Sequence, residues 1–214
     1  MHSIASVKSA SGAGKYFTND DFVSGDYYTD EHAGDVSLWG GEGAAEAGLS
    51  GAVGREAFTK VLEGELPSGE KVDVRDGRRP GFDLTFSAPK SVSVMAYVAG
   101  DKRILGPDGA QTLAVQKTMA WVEKNLAAGR TTADGKTTSV KTGNLVYALF
   151  QHDTSRALDP QAHIHAIVAN MTKMPDGKWQ ALDAQKIWAS NTVIGSIYHA
   201  YLREGMEKLG YKIE

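Results

Sequence analysis

The feature that most constrains this chain is His163-Ile164-His165, which runs on into Ala166 to Met171 (AIVANM) and has His152 eleven residues upstream. Side chains on a strand alternate with period two, so the two histidines of an H-x-H pair share one face. The residues after the pair are apolar or β-compatible, which predicts a strand as their host. Asn144 to Gln151 (NLVYALFQ) reads as a second strand ending at His152, and Asp153 to Ala162 (DTSRALDPQA) as a polar connection between the two. Antiparallel pairing then sets His152 beside His163. Three neutral imidazoles at one end of a sheet make three-quarters of a tetrahedral metal site with one position open. An open position on a bound cation implies chemistry on an oxygen, by polarisation or by activation of a nucleophile. An H-x-H pair alone is more often incidental. Here, however, three of the six histidines fall within fourteen positions flanking one hairpin.

At 214 residues the chain fits one large domain, 1–214, able to bury a sizeable core. No run of eighteen apolar residues suggests a membrane span, and no secretory h-region opens the sequence. With no cysteine there are no disulfides and no thiolate ligands, which fits a reducing cytoplasm. The net charge of −3 hides a division. Asp20 to Glu63 carries ten acidic and two basic residues, a net of −8, so the remainder carries +5. A basic remainder leaves room for a nucleic-acid surface that the average charge conceals.

Along the chain, Ser3 to Lys8 alternates as a first strand, and Ser9 to Asn19 reads as a short helix bearing Tyr16 and Phe17. Glu31 to Gly54 holds seven glycines and five alanines and reads as loop, pinned by Trp39 and Leu49. Ala57 to Leu66 is expected as a helix stopped by Pro67. Gly81 to Phe86 (GFDLTF) is expected as a strand carrying Asp83. Ser87 is a candidate N-cap for a helix with Pro89 in its first turn, running to about Val98 and stopped at Gly100. A longer helix spans Asp108 to Ala128, with Val115, Met119, Val122 and Leu126 as its core stripe and Gly129 as C-cap. Asp134-Gly135 and Pro175-Asp176-Gly177 mark turns, the latter leading into Lys178 to Leu182. Helices fill Asp183 to Ala189 and Ser190 to Leu209, ahead of Gly210. Tyr211 to Glu214 reads as the first residues of a further strand, so the domain is expected to be cut short on its C-terminal side.

Tyr16, Tyr27 and Tyr28 are three of the eight tyrosines, all within the first 28 residues. Packing explains most tyrosines. The chemical alternative is a phenol nucleophile beside the metal that forms a covalent intermediate. A phenol of pKa about 10 needs a nearby cation or a base to ionise at neutral pH. Asp83 is the carboxylate best suited to help, because a charge on an apolar strand is costly unless it is partnered. A carboxylate hydrogen-bonded to a ligand histidine is a common supporting arrangement. The competing reading of Asp83 is an edge-strand position facing water. Among cations, Arg156 follows His152 in the connecting loop and Lys90 opens a helix where a phosphate can bind. The run Arg75, Arg78, Arg79 is a further candidate for backbone contacts to DNA.

Taken together, the pattern H-D-T-S-R…P-Q-x-H-x-H-A-I-V-x-N around His152, His163 and His165 resembles the metal motif of conjugative relaxases of the relaxase–helicase class. The likeness extends to G-F-D-L-T-F-S-A-P-K-S-V-S at Gly81 to Ser93, to T-G-N-L-V at Thr142 to Val146, and to the S-I-A-S-V opening with Tyr16 and the later Tyr27-Tyr28 pair. It covers nearly the whole chain. The resemblance implies an α+β fold, a palm-like central antiparallel sheet with flanking helices and an HUH-type metal site on the sheet. It also implies site- and strand-specific nicking of DNA at a plasmid transfer origin, leaving a 5′-phosphotyrosyl adduct and a free 3′-OH. Residue by residue, it makes Tyr16 the primary nucleophile, Tyr27 a second tyrosine for later strand transfer, and His152, His163 and His165 the ligands. Asp83 orients a ligand histidine or takes the tyrosine proton. Phe17 departs from family members that carry a second adjacent tyrosine, which leaves Tyr16 alone at the first site.

Three histidines suit zinc, manganese, nickel or cobalt by softness, whereas the resemblance implies magnesium or manganese in the cell. Its implied partners are single-stranded and hairpin origin DNA, a downstream helicase domain, and accessory relaxosome and secretion-coupling proteins. The implied setting is a bacterial cytoplasm with no membrane insertion. Rolling-circle replication initiators and single-strand transposases share the histidines and the tyrosine, but they usually place the tyrosine after the histidines. A metal-binding module or hydrolase without covalent chemistry is the alternative from another class.

Overall fold

A computed structural model of the chain describes residues 1–18, 36–72, 77–154 and 160–213. Tyr27, Tyr28, Arg75 and Arg156 lie outside the described residues. At the centre is a five-stranded antiparallel sheet built from β1 (His2–Val7), β2 (Ser37–Gly40), β3 (Gly81–Ser87), β6 (Tyr147–Thr154) and β7 (Pro160–Ala169), in the order β1-β3-β7-β6-β2. β3 and β7 therefore lie inside the sheet. The histidine hairpin forms in the expected register, with His152 opposite His163. β3 pairs with β7 on the other side, with Thr85 opposite His165 and Ser87 opposite His163.

Period-two alternation splits these strands between two cores. Phe82, Leu84, Phe86, Leu149, Ile164 and Val168 point to one face. There they pack beneath α4 (Lys90–Tyr97), α5 (Ala110–Leu126) and α7 (Asn191–Lys208), which bring Val92, Val115, Met119, Val122 and Tyr198. Each large apolar side chain buried there contributes roughly 1.5–3 kcal/mol. Ala148, Phe150, Ile167 and Ala169 point to the opposite face, under α1 (Ala10–Phe17) and α3 (Arg55–Leu62), with Phe58, Val61 and Leu62. This second core covers only part of its face, and the histidines occupy the rest.

Several expectations are corrected. Gly129 is no helix cap: α5 ends at Leu126 with Ala127 as its C-cap, and Gly129 lies in β4 (Ala128–Ala133). Its lack of a side chain serves packing, since a Cβ there would stand 2.2 Å from Met174 Sδ. Asp134-Gly135 turns β4 into β5 (Lys136–Lys141), with φ of 51° and 73° at the two residues. Positive φ at both central positions is the two-residue hairpin geometry that a D-G pair favours. Ser87 ends β3 and exchanges backbone hydrogen bonds with Met1, so α4 begins at Lys90 without a side-chain cap.

Glu31 to Gly54 is not all loop. It holds β2 and α2 (Glu42–Glu46), whose first turn is capped from a distance: the Glu123 carboxylate of α5 accepts from Glu42 N at 2.8 Å and Leu145 N at 2.7 Å. Tyr211 to Ile213 forms no strand. The Tyr211 hydroxyl donates to Asp101 at 2.6 Å, and Ile213 packs on the core beneath α5 and α7. The turn at Pro175–Gly177 joins β8 (Thr172–Lys173) to β9 (Trp179–Gln180), and α6 (Gln185–Ala189) leads into α7. No helix among the described residues is long and apolar enough to cross a membrane.

Candidate active site

The register of β6, β7 and β3 assembles the site. His152 and His163 are direct cross-strand neighbours, and His165 follows two residues along β7 on the same face. The three ring centroids lie 4.7–5.4 Å apart, and one ligand nitrogen from each ring falls within 4.8 Å of the others. His165 Nδ1 lies 2.9 Å and 3.0 Å from the two Asp83 oxygens. Asp83 sits diagonally across from His165, on an inner strand and not at an edge. His163 Nδ1 lies 3.0 Å from the Gln161 carbonyl, to which it can only donate. Both contacts fix the tautomer that leaves Nε2 with a lone pair.

The donor set passes a test of fit to a divalent ion. His165 Nε2 is buried and has no hydrogen-bond partner among the described residues, which is costly for a polar atom unless a ligand completes it. Burial, and then the neighbouring His165 and His163, push the His152 imidazole down to about 3. Burial likewise lowers His163. Both rings are therefore neutral at physiological pH, the form that coordinates metal.

Thr85, absent from the sequence reading, joins this network. Its hydroxyl donates to Asp83 Oδ1 at 3.1 Å, fixing the carboxylate that holds His165. The signal was available, since Thr85 lies two residues from Asp83 on the same strand face. Helix α1 stands over the histidines. The Tyr16 ring lies edge-on to His152 at 5.6 Å, and Tyr16 is 48% exposed. Phe17 stacks on His152 at 5.8 Å and on Phe150 at 5.4 Å, and meets His165 at 5.1 Å. It thus forms an apolar wall between the metal site and the second core.

The proposed DNA contacts separate. Lys90 opens α4 and its ammonium donates to the Pro160 carbonyl at 3.2 Å, at the histidine end of β7. Arg78 is half-buried and bonded within the protein. Its guanidinium donates to the carbonyls of Leu62 and Asn170, at the other end of β7, and burial lowers its pKa. Arg79 donates to Ser6 Oγ at 2.6 Å.

An α+β fold whose antiparallel sheet carries three imidazoles on one face, with a tyrosine helix above them, is compatible with an HUH-type metal site. The model of the TrwC relaxase family matches residues 10–214, and the chain belongs to that family. The multifunctional conjugation protein TraI of Escherichia coli (strain K12) is 44% identical over 227 residues, covering all of this chain and 12% of TraI. The chain thus spans about an eighth of the length of the curated relatives it matches. Conjugative relaxase TrwC in complex with oriT DNA, in a metal-bound structure, superposes with a TM-score of 0.86 at 38% identity, over 100% of this chain and 72% of that one. TrwC complexed with a 27-mer DNA comprising the recognition hairpin and the cleavage site gives 0.83 at 37% identity, over 100% and 71%.

Proposed function

We propose that residues 1–214 form a relaxase domain that nicks one DNA strand at a plasmid transfer origin by tyrosine transesterification. The observation that carries this reading is the Tyr16 ring edge-on to His152, 5.6 Å away, above three convergent imidazoles. The Tyr16 phenol oxygen attacks the scissile phosphorus and the P–O3′ bond breaks. The phenol proton is taken up and a 3′-OH is released, leaving a 5′-phosphotyrosyl adduct. One phosphodiester replaces another, so the bond energy is kept and the nick can be resealed.

His152, His163 and His165 would hold a divalent ion. When bound, that ion neutralises charge on the scissile phosphate and favours the phenolate. Magnesium or manganese is the ion we propose for the cell; zinc, nickel and cobalt also fit three histidines. Asp83, held by Thr85, orients His165. Phe17 keeps bulk water from one side of the phenol. Lys90 is proposed to meet a phosphate, as are Arg75 and Arg156. Tyr27 is proposed as the second tyrosine of a later strand transfer.

Single-stranded and hairpin origin DNA are the proposed substrates. TraI is described as multifunctional, and a downstream helicase domain, relaxosome proteins and a secretion-coupling protein are the proposed partners. The proposed setting is the bacterial cytoplasm, with the gene carried on a plasmid. The test is a labelled single strand from that plasmid's origin, incubated with protein and metal and then denatured. Label migrating with the protein, mapped to Tyr16 by mass spectrometry, is expected. Cleavage without an adduct would leave a metal-dependent hydrolase instead.

A further inference from the structure

Tyr16 lies in the last turn of an eight-residue helix, and at that length α1 has little stability of its own. Its position depends on what docks it. The N-terminal end is fixed locally, where Ser9 Oγ accepts from Gly12 N at 3.1 Å. The middle is fixed by close approach to α3, since a Cβ on Gly14 would stand 2.2 Å from Thr59 Oγ1. The C-terminal end packs on the sheet through Phe17 and is hydrogen-bonded to α3 through one side chain. Arg55 Nε donates to Thr18 Oγ1 at 2.9 Å, and Nη2 approaches the Thr18 carbonyl at 3.4 Å. The Thr18 hydroxyl in turn donates to Gly14 O at 2.6 Å, alongside the Thr18 amide at 3.2 Å. A guanidinium at this end also complements the negative pole of the helix dipole.

We propose that Arg55 is a positioning residue for the reaction: through Thr18 it latches the last turn of α1 to α3 and so fixes where the Tyr16 phenol stands. The inference rests on Tyr16 being the nucleophile. α1 joins β1 through Lys8 and Ser9; Phe17 rests its last turn on the sheet, and the latch to α3 sets the angle at which that turn crosses the histidines. In-line attack is intolerant of such errors, and a displacement of about 1 Å costs up to roughly 10²-fold in rate.

The experiment compares Arg55→Ala, Arg55→Lys, Thr18→Val and the Arg55→Ala/Thr18→Val double variant with the unaltered chain. Single-turnover cleavage and equilibrium binding are measured on the same origin strand, across a salt series, after a melting curve for each protein. The expected result is a loss of about tenfold or more in cleavage rate for Arg55→Ala, with DNA affinity and its salt dependence unchanged. Thr18→Val is expected to lose a similar factor, the double variant no more than the larger single loss, and Arg55→Lys to recover part of the rate. Non-additivity is the signature of two residues acting through each other. A rate equal to the unaltered chain's would overturn the proposal. So would weakened binding with a shallower salt slope and additive losses, because Arg55 would then be a phosphate contact. If Arg55→Ala lowers the melting temperature enough to obscure the comparison, Thr18→Val and Arg55→Lys carry the same test. The underlying reading is checked separately on the unaltered chain. An adduct mapped to another residue defeats the Tyr16 assignment, whereas an adduct on Tyr16 with unaffected Arg55 variants defeats only the latch.

Discussion

On one face of the central sheet, Leu84, Phe86, Ile164 and Val168 lie beneath α4, α5 and α7. On the other face of the same strands, alternating with Leu84, Phe86 and Ile164, stand Asp83, Thr85, His163 and His165. The helix-covered face excludes water and is built for cohesion. Among the described residues, α1 and α3 cover part of the other face, and beside them stand three histidines that could hold a metal ion. One pair of strands therefore carries both stability and chemistry, kept apart only by the alternation of side chains. The face on which His165 Nε2 lacks a hydrogen-bond partner among the described residues gives up stabilisation that its counterpart takes.

This contrast can be broken from either side. The largest effect is expected for Tyr16→Phe, which removes the hydroxyl proposed as the nucleophile. Adduct formation should fall by at least about 10³-fold, while DNA affinity and melting temperature stay within error, because the hydroxyl sits on a half-exposed side chain. Adduct at the original rate would pass the role to Tyr27 or Tyr28. Replacing His163 and His165 together by Ala should abolish both bound divalent ion and cleavage and leave the circular dichroism of the fold intact. Undiminished metal content in that protein would rule out this site.

The opposite face should respond in the opposite way. Phe86→Ala leaves a cavity against Tyr198, with ring centroids now 5.1 Å apart, and is expected to cost about 3–5 kcal/mol in denaturant unfolding. The fraction that remains folded should still bind metal with normal stoichiometry. A loss of metal without a loss of stability would show that the faces are not separable.

Acid should act on the histidine face through His152. In metal-free protein the folded His152 sits near 3, against about 6.5 when unfolded. The unfolded chain thus binds more protons between those values. This contribution is complete above about pH 6.5, falls as pH drops toward 3, and amounts to on the order of 2 kcal/mol lost by pH 5. His152→Gln should flatten that dependence when unfolding is followed from pH 7.5 to 5. An unaltered slope would assign it elsewhere. The smallest effect is expected for Thr85→Val, which frees Asp83 from one hydrogen bond worth about 1 kcal/mol. Metal affinity should weaken by roughly fivefold by titration, and a larger loss than for Asp83→Asn would invert the order of support.

Much of this was open to reading along the chain. H-x-H spacing, a strand on each side and a polar connection determine that three imidazoles meet, because side-chain alternation and antiparallel register are local rules. The core stripe of α5 and the D-G turn follow from equally local rules. What the chain could not disclose involves partners far apart in sequence. Glu123 caps α2 from 81 residues away, which turns a glycine-rich stretch into structure. Arg78, one of three arginines in a basic run, reads as a free surface charge until its hydrogen bonds to the Leu62 and Asn170 carbonyls are seen. Asp83 was equally consistent with a solvent-facing edge until β1 and β7 flanked its strand. The height of Tyr16 above the metal site depends on α3, through Gly14, Thr59 and Arg55. Local sequence determines which side chains share a face, because backbone geometry repeats over two to four residues. Which of them are buried, paired or brought to the metal depends on packing between distant segments, and only the tertiary structure decides that.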